Sequence, residues 1–395
     1  MSSATSKTVL QVVPRLVMGG VERGTVDIAK ALVGAGWRSI VASAGGQMVR
    51  ELERSGAEHI QIPLDERNPF AIRKNAARLR ALIDEKKVDI VHARSRAPAW
   101  SAKIAIEGTP ASFVTTFHGV YGFGPFGLKK RYNRVMTQGD VVIAVSEFIR
   151  NHIVKEYSVP PERVRLIHRG VDLSLFNAAR VSPDRIVQLT SKWRLPDAAP
   201  VIMLPGRLTR IKGHHVLVDA LAELARRNSG SLDIRCLMVG KSDGRSAYAR
   251  SVLDYAAARG VGGNVHIIDD CNDIPAAYMA TDVVVSATTR PEAFGRTVAE
   301  AQAMGRPVVA PAQGPAGEIL VSGVTGWLFT PSDPVSLADA LNRALRLTQE
   351  ERAKLASIAT ARVQELFDNT DMRAKTLAVY NEVLAQKGNA HRSSQ

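Results

Sequence analysis

Two glutamates eight residues apart, Glu292 and Glu300, stand in the segment PEAFGRTVAEAQAMGRPVVA, where Phe294-Gly295 leads from a loop into a helical pattern. Carboxylates accept hydrogen bonds from hydroxyls, and a sugar nucleotide carries hydroxyls at both of its ends, on the ribose and on the hexose. A second pair, Arg207 and Lys212, lies in PGRLTRIKGHH, a strand-to-helix turn made tight by Gly206 and Gly213. Two fixed cations at the start of a helix suit a diphosphate and would stabilise charge building on a leaving diphosphate. Earlier in the chain, Gly19-Gly20 in VMGGVERGT would let backbone N–H groups approach a phosphate at a helix start. His118, in VTTFHG, ends a strand and could hydrogen-bond a sugar there, although a histidine in such a place is often only structural.

The elements that must position these residues repeat one unit. Short β-branched runs occur near Val9, Val41, Ile60, Ile90, Val114 and Val142, with helical patterns such as Pro69–Glu85 and Glu147–Tyr157 between them. Strands alternating with helices predict right-handed βαβ units in a parallel sheet. Around residues 176–199 the pattern lapses into polar, proline-containing sequence that reads as a linker. A second series then starts at Val201 and continues near Leu232, Val265, Val283, Val308 and Leu328, with helices expected over His214–Arg227, Ala247–Arg259, Thr297–Met304 and Pro334–Leu345. The division expected is 1–180 for a first Rossmann-like domain, 181–370 for a second, and 371–395 for a C-terminal helix packing back on the first domain, then a polar tail. Two such sheets in tandem are expected to leave a cleft, with ligands at the carboxyl ends of the strands.

Composition bounds these readings. The 395 residues, 45% hydrophobic and 23% charged, fit a globular protein of two domains. No apolar run reaches the ~18 residues of a membrane span. The N-terminal stretch lacks a small-residue cleavage site, and Cys236 and Cys271 are too few for a disulfide framework. A cytoplasmic location follows as the expectation. The net charge is +14, and it is uneven: residues 1–190 hold 28 Lys and Arg against 17 Asp and Glu, whereas residues 191–395 hold 24 against 21. An excess concentrated in the first half suggests a polyanionic partner.

Two other nucleotide motifs can be set aside. Gly122, Gly124 and Gly127 satisfy G-x-G-x-x-G literally, but His118–Tyr121 separates them from the preceding strand, and Pro125 with two phenylalanines fills the loop. The Gly240-Lys241-Ser242 triplet has Arg235 where a phosphate-binding P-loop needs glycine.

Taken together, the Gly-Gly loop, TFHG, VSEFIRNHI, HRGVD, GRLTRIKG, PEAFGRTVAEA and GPAGEIL resemble family-4 glycosyltransferases, in order and over nearly the whole chain. The resemblance implies an α/β architecture of the GT-B type, with two Rossmann-like domains facing across a cleft. It also implies transfer with retention of anomeric configuration and no metal requirement; the absence of any D-x-D agrees with the latter. By motif position it implies that Arg207 and Lys212 hold the donor diphosphate, Glu300 the ribose and Glu292 the transferred sugar, with Phe294 and Gly295 beside them. Gly19 and Gly20 would meet the phosphates from the other domain and His118 the sugar, so that His118, Arg207, Lys212 and Glu292 form the expected catalytic set. Two segments depart from the family: His168-Arg169 stands where many members carry Pro-Asn, and GKSDGR replaces the commoner GDGP.

Within the family, TFHGVYGFGPFGLKKRYNRVM and IHRGVD are most similar to lipopolysaccharide core mannosyltransferases. This implies a nucleotide-diphosphate sugar donor, GDP-mannose or a UDP-hexose, a lipid-linked glycan acceptor, and no cofactor. The composition of Gly122–Met136 points the same way, since Phe123, Phe126 and Leu128 mix with Lys129, Lys130, Arg131 and Arg134. That mixture suits an anionic membrane surface on the inner face of the cytoplasmic membrane. Its bland alternative is a loop that packs its aromatics inward. A transferase for exopolysaccharide or glycolipid is a second reading. A sugar-nucleotide epimerase would leave the basic aromatic segment without a use, and a nucleic-acid-binding protein is disfavoured because no such module appears.

Overall fold

The computed structural model describes residues 6–17, 19–196, 199–241, 246–269 and 271–392. Seven strands form the first sheet: β1 (Thr8–Val12), β2 (Arg38–Ser43), β3 (Glu58–Gln61), β4 (Ile90–Ala93), β5 (Ser112–Phe117), β6 (Val141–Ala144) and β7 (Val164–Leu166). Their order is β3-β2-β1-β4-β5-β6-β7, all parallel. Six form the second: β8 (Val201–Pro205), β9 (Arg235–Val239), β10 (Val265–Ile268), β11 (Val283–Val285), β12 (Val308–Pro311) and β13 (Gly326–Phe329). Here the order is β10-β9-β8-β11-β12-β13, again all parallel. Both are doubly wound, so each has one place where the strand order reverses: between β1 and β4, and between β8 and β11. Such switch points open a crevice at the carboxyl ends of the strands.

The strands carry unbroken apolar runs because both sheet faces are covered. In the first unit the helix α1 (Gly20–Gly34) buries Ile28 and Leu32 against Val9, Ile90 and Val114. The same cluster takes in Val379, Tyr380 and Val383 from the C-terminal helix Asn369–Arg392. Burying a valine side chain contributes roughly 1.5–3 kcal/mol, which fastens this helix to the first sheet. Polar links fix its register: Tyr380 Oη lies 2.6 Å from His92 Nδ1, and His92 Nε2 lies 2.7 Å from Thr116 Oγ1. Arg165 pairs with Glu382, and Lys387 donates to the carbonyl of Ala111 at 2.6 Å. The second unit centres on Ile202, Leu204, Leu217, Leu221, Met238, Val285 and Leu341.

The compact units divide the chain at Gly170 and at Asn369, with residues from 369 onward joining the first unit and Val171–Asp368 forming the second. The boundary thus falls ten residues before the 180/181 expected from the polar stretch. The linker reading of residues 176–199 is corrected as well. Pro183–Lys192 is a helix, with Ser182 at its N-cap position and Pro183 in its first turn, where a missing N–H costs nothing. Arg185 in that helix makes a forked ion pair with Asp273 at 2.6 and 2.8 Å, which binds it to the second unit. Its apolar residues are few, and for that reason polarity alone disguised it as coil.

Candidate active site

In the second unit, the turn after β8 and the loop after β11 flank the reversal of strand order. The turn folds as a short 3-10 segment, Arg210–Lys212, before the helix His214–Arg227. Lys212 lies along Gly206, where a Cβ would come within 3.2 Å of its Cε. Its ammonium reaches Glu292 Oε1 at 2.6 Å. The two loops are stitched by a bond from Thr289 N–H to the Ile211 carbonyl at 2.9 Å. Sequence therefore named two residues eighty positions apart that the fold brings into contact. Glu292 also lines a small pocket with Ser286, Thr288, Gly295, Gln313 and Ala316, at the carboxyl ends of β11 and β12.

Arg207 is exposed and makes no hydrogen bond or ion pair among the described residues, so it stands as an available cation at the edge of this site. Glu300 lies in the helix Arg296–Ala303, which starts at Gly295 in a left-handed conformation. Its carboxylate accepts from Arg296 at 2.6 Å and from the Tyr278 hydroxyl at 3.2 Å, two contacts that fix its direction. Tyr278 is buried, and burial with Glu300 beside it pushes its phenol well above the ordinary range, so it stays a neutral donor. Phe294 is 2% exposed and its ring meets Phe367 edge-on at 5.5 Å, which anchors the loop that leads into Gly295. The GKSDGR turn after β9 lies, for its last four residues, outside the described residues.

In the first unit, Gly19 and Gly20 begin α1 next to the reversal between β1 and β4, and Arg94 and His118 follow β4 and β5. His118 lines a pocket with His92, Arg94, Thr116, Arg169 and Thr376. Both of its ring nitrogens are shut off from solvent without a protein partner. Burial, helped by the charges of Arg169 and Arg94, holds its imidazole well below the ordinary range, so the ring is neutral at pH 7 with one donor and one acceptor. The space above Gly20 is not empty: Arg169 donates to the Gly20 carbonyl, and a Cβ on Gly20 would meet its guanidinium at 2.6 Å. Sequence reasoning noted Arg169 as a departure and passed over Arg94. Arg94 becomes legible once β4 is placed beside β1.

The basic aromatic segment is split. Phe126 is 100% exposed, Leu128 is exposed, and so are Lys129, Arg131 and Arg134. Phe123 instead stacks on His152, with centroids 6.2 Å apart, under the Lys130 ammonium at 4.6 Å. Lys130 also pairs with Glu156 at 3.3 Å. Phe123 and Lys130 thus pack inward, whereas Phe126, Leu128, Lys129, Arg131 and Arg134 face outward.

Comparison with known proteins identifies the family. Residues 18–175 match the family described as Glycosyltransferase Family 4, and residues 188–362 match Glycosyl transferases group 1. A glycosyltransferase from Rickettsia africae ESF-5 superposes with a TM-score of 0.87 at 38% identity, covering 96% of this chain and 99% of that one. Alr3699/HepE of Anabaena, solved in complex with UDP, superposes with a TM-score of 0.79 at 25% identity, over 96% of this chain and all of that one. D-inositol 3-phosphate glycosyltransferase of Xylanimonas cellulosilytica is 29% identical over 76% of this chain and 73% of its own length. The enzyme of the same name from Salinispora tropica is 31% identical over 64% of this chain and 53% of its own length.

Proposed function

The chain belongs to the family-4 glycosyltransferases of GT-B architecture, and from that premise we propose that it moves a hexose, with mannose the expected sugar, from a nucleotide-diphosphate donor to a lipid-linked glycan of the lipopolysaccharide inner-core kind. The observation that carries this reading is the meeting of Lys212 with Glu292 at the β8/β11 reversal, beside Arg207 and the oriented Glu300. A diphosphate takes the place of Glu292 as the partner of Lys212, and Glu292 turns to the hydroxyls of the transferred sugar. The UDP bound by the Anabaena protein supports a nucleotide donor, and the inositol-phosphate enzymes support an acceptor that carries negative charge.

In the proposed reaction the acceptor oxygen bonds to the anomeric carbon on the face from which the diphosphate departs. The acceptor proton goes to the departing phosphate oxygen, the sugar–phosphate bond breaks, and configuration is retained. Arg207 and Lys212 stabilise the charge that collects on the diphosphate. The test is to incubate the purified protein with a panel of sugar nucleotides and follow hydrolysis and thermal stabilisation. GDP-mannose is the expected winner, and a panel in which no sugar nucleotide is hydrolysed or stabilises the protein overturns the reading.

Protein cations at the diphosphate make a divalent ion dispensable. Transfer is therefore expected to persist undiminished in EDTA; loss in EDTA with recovery on adding Mg²⁺ or Mn²⁺ contradicts this.

The acceptor's lipid places the enzyme at a membrane surface. No helix among the described residues is long and apolar enough to cross one, so the proposed attachment is peripheral, through Phe126, Leu128, Lys129, Arg131 and Arg134. Each cation near an anionic leaflet contributes roughly 1 kcal/mol, screened within a Debye length. Co-sedimentation with anionic vesicles should fall steeply with salt. Removing the three exposed cations should abolish the salt-sensitive part, and Phe126→Ser the salt-resistant part, while Phe123→Ser should instead lower stability. Equal binding to neutral vesicles leaves the charge without this role.

A further inference from the structure

Tyr278 stands in the short helix Ile274–Met279, which precedes β11. The helix is tied down at its start: Asp273, at the N-cap position, accepts from the Ala276 N–H at 3.1 Å and takes the forked ion pair from Arg185. Tyr278 itself is 1% exposed, and Phe176 meets its ring edge-on at 6.0 Å. A ring so enclosed has one position for its hydroxyl, and a buried hydroxyl needs a hydrogen-bond partner. Among the described residues that partner is Glu300, whose Oε2 lies 3.2 Å away.

The Glu300 carboxylate has one protein donor on each oxygen, Arg296 on Oε1 at 2.6 Å and Tyr278 on Oε2. The two donors are held with different firmness. Arg296 is 37% exposed and pairs with Glu300 one turn along the same helix, an arrangement that a long, flexible side chain keeps loosely and that contributes little. Tyr278 comes from a different element and its enclosed ring cannot swing. The direction of the carboxylate is therefore set by the phenol. A carboxylate with one donor per oxygen keeps an acceptor site on each for a ligand. Two such sites side by side match a vicinal diol, each hydroxyl donating to one oxygen.

We propose that Tyr278 is a positioning residue for the donor: its hydroxyl holds the Glu300 carboxylate at the angle at which both oxygens meet the vicinal diol of the nucleotide's ribose at once. The terminal torsion of a glutamate is broad, so a carboxylate held on one oxygen only turns away from one of the two hydroxyls. Preorganisation of this kind acts through a supporting side chain that does not touch the ligand. The inference rests on the reading that puts a nucleotide-diphosphate sugar at the β8/β11 reversal with its ribose at Glu300. What it adds is that the choice of ribose over 2′-deoxyribose depends on Tyr278, a residue of another helix, 22 positions earlier in the chain.

The test uses the full-length protein and calorimetric titration with UDP and GDP beside their 2′-deoxy forms. The wild type is expected to favour the ribonucleotide by about tenfold, as for one hydrogen bond to a charged group. Tyr278→Phe keeps the ring and removes only the oxygen. It is expected to bring that ratio to about threefold or less through weaker ribonucleotide binding, with the affinity for the 2′-deoxy form unchanged. Glu300→Gln checks the underlying reading, and its ratio should fall as well. A Tyr278→Phe protein that melts lower but keeps the wild-type ratio has lost a purely structural tyrosine, which overturns the proposal. If Glu300→Gln loses the ratio in the same experiment, the ribose reading of Glu300 stands and only the role of Tyr278 falls. A wild-type protein that binds neither nucleotide or shows no preference for ribose, or a Glu300→Gln protein that retains the preference, removes both, whether or not Tyr278→Phe folds.

Discussion

Lys212→Ala is expected to lower transfer about 10²–10³-fold with the fold intact, as when one preorganised electrostatic group is removed from a transition state. The lysine is held at its post before any substrate arrives: its stem lies over Gly206 and its ammonium is 2.6 Å from Glu292. That ion pair is itself partly exposed, 21% and 27% for the two side chains, and pairs of this kind contribute little to stability. The variant should therefore unfold near the wild-type temperature while kcat collapses. Glu292→Gln frees the ammonium of its partner and serves as the comparison, since it removes the sugar contact and leaves the cation. The measurement is steady-state kinetics with the best donor, beside thermal melts. Wild-type turnover by a folded Lys212→Ala protein removes Lys212 from the mechanism.

The second large effect concerns Gly213, which starts the helix His214–Arg227 at φ 73°. A Cβ there would overlap the carbonyl of Ala287, on the loop after β11. Left-handed backbone costs a non-glycine residue roughly 1–2 kcal/mol, and forced overlap in a packed site adds about 1–3 kcal/mol. Gly213→Ala is expected to destabilise the protein by the sum, about 2–5 kcal/mol. It should also lower activity, because pushing the two loops apart moves Lys212 away from Glu292. Gly36 provides the control, with φ 77° and open space for 4 Å around the position a Cβ would take. Gly36→Ala carries only the backbone cost. Thermal melts of both variants decide the matter, and a Gly213→Ala protein no less stable than Gly36→Ala refutes the close-approach account.

Local pattern was sufficient for much of this molecule. The β-branched runs and helical periods determined two parallel α/β units, because strand and helix periods differ and are read over a few residues. Helices over Glu147–Tyr157, His214–Arg227 and Pro334–Leu345 end where their sequence pattern ends. Arg207, Lys212, Glu292 and Glu300, the residues proposed for the donor, could be named from their motifs, and the fold brings Lys212 and Glu292 into an ion pair. Local polarity misled at Pro183–Lys192, a helix that buries Leu189 and whose Arg185 pairs with Asp273, 88 positions away in sequence.

What only the tertiary structure decided are matters of who meets whom. Phe294 and Phe123 look alike in sequence to aromatics offered to a ligand or a membrane; packing against Phe367 and His152 takes both inward, because burying an aromatic ring is worth more than leaving it wet. The return of the C-terminal helix to the first sheet rests on Tyr380 meeting His92 across 288 positions. Arg94 and Arg169, 75 residues apart, line one pocket because β4 and β7, which precede them, end on the same side of one parallel sheet. Periodicity fixes which face of an element is apolar, but the partner of each charge is set by sheet order, and that is a property of the whole chain.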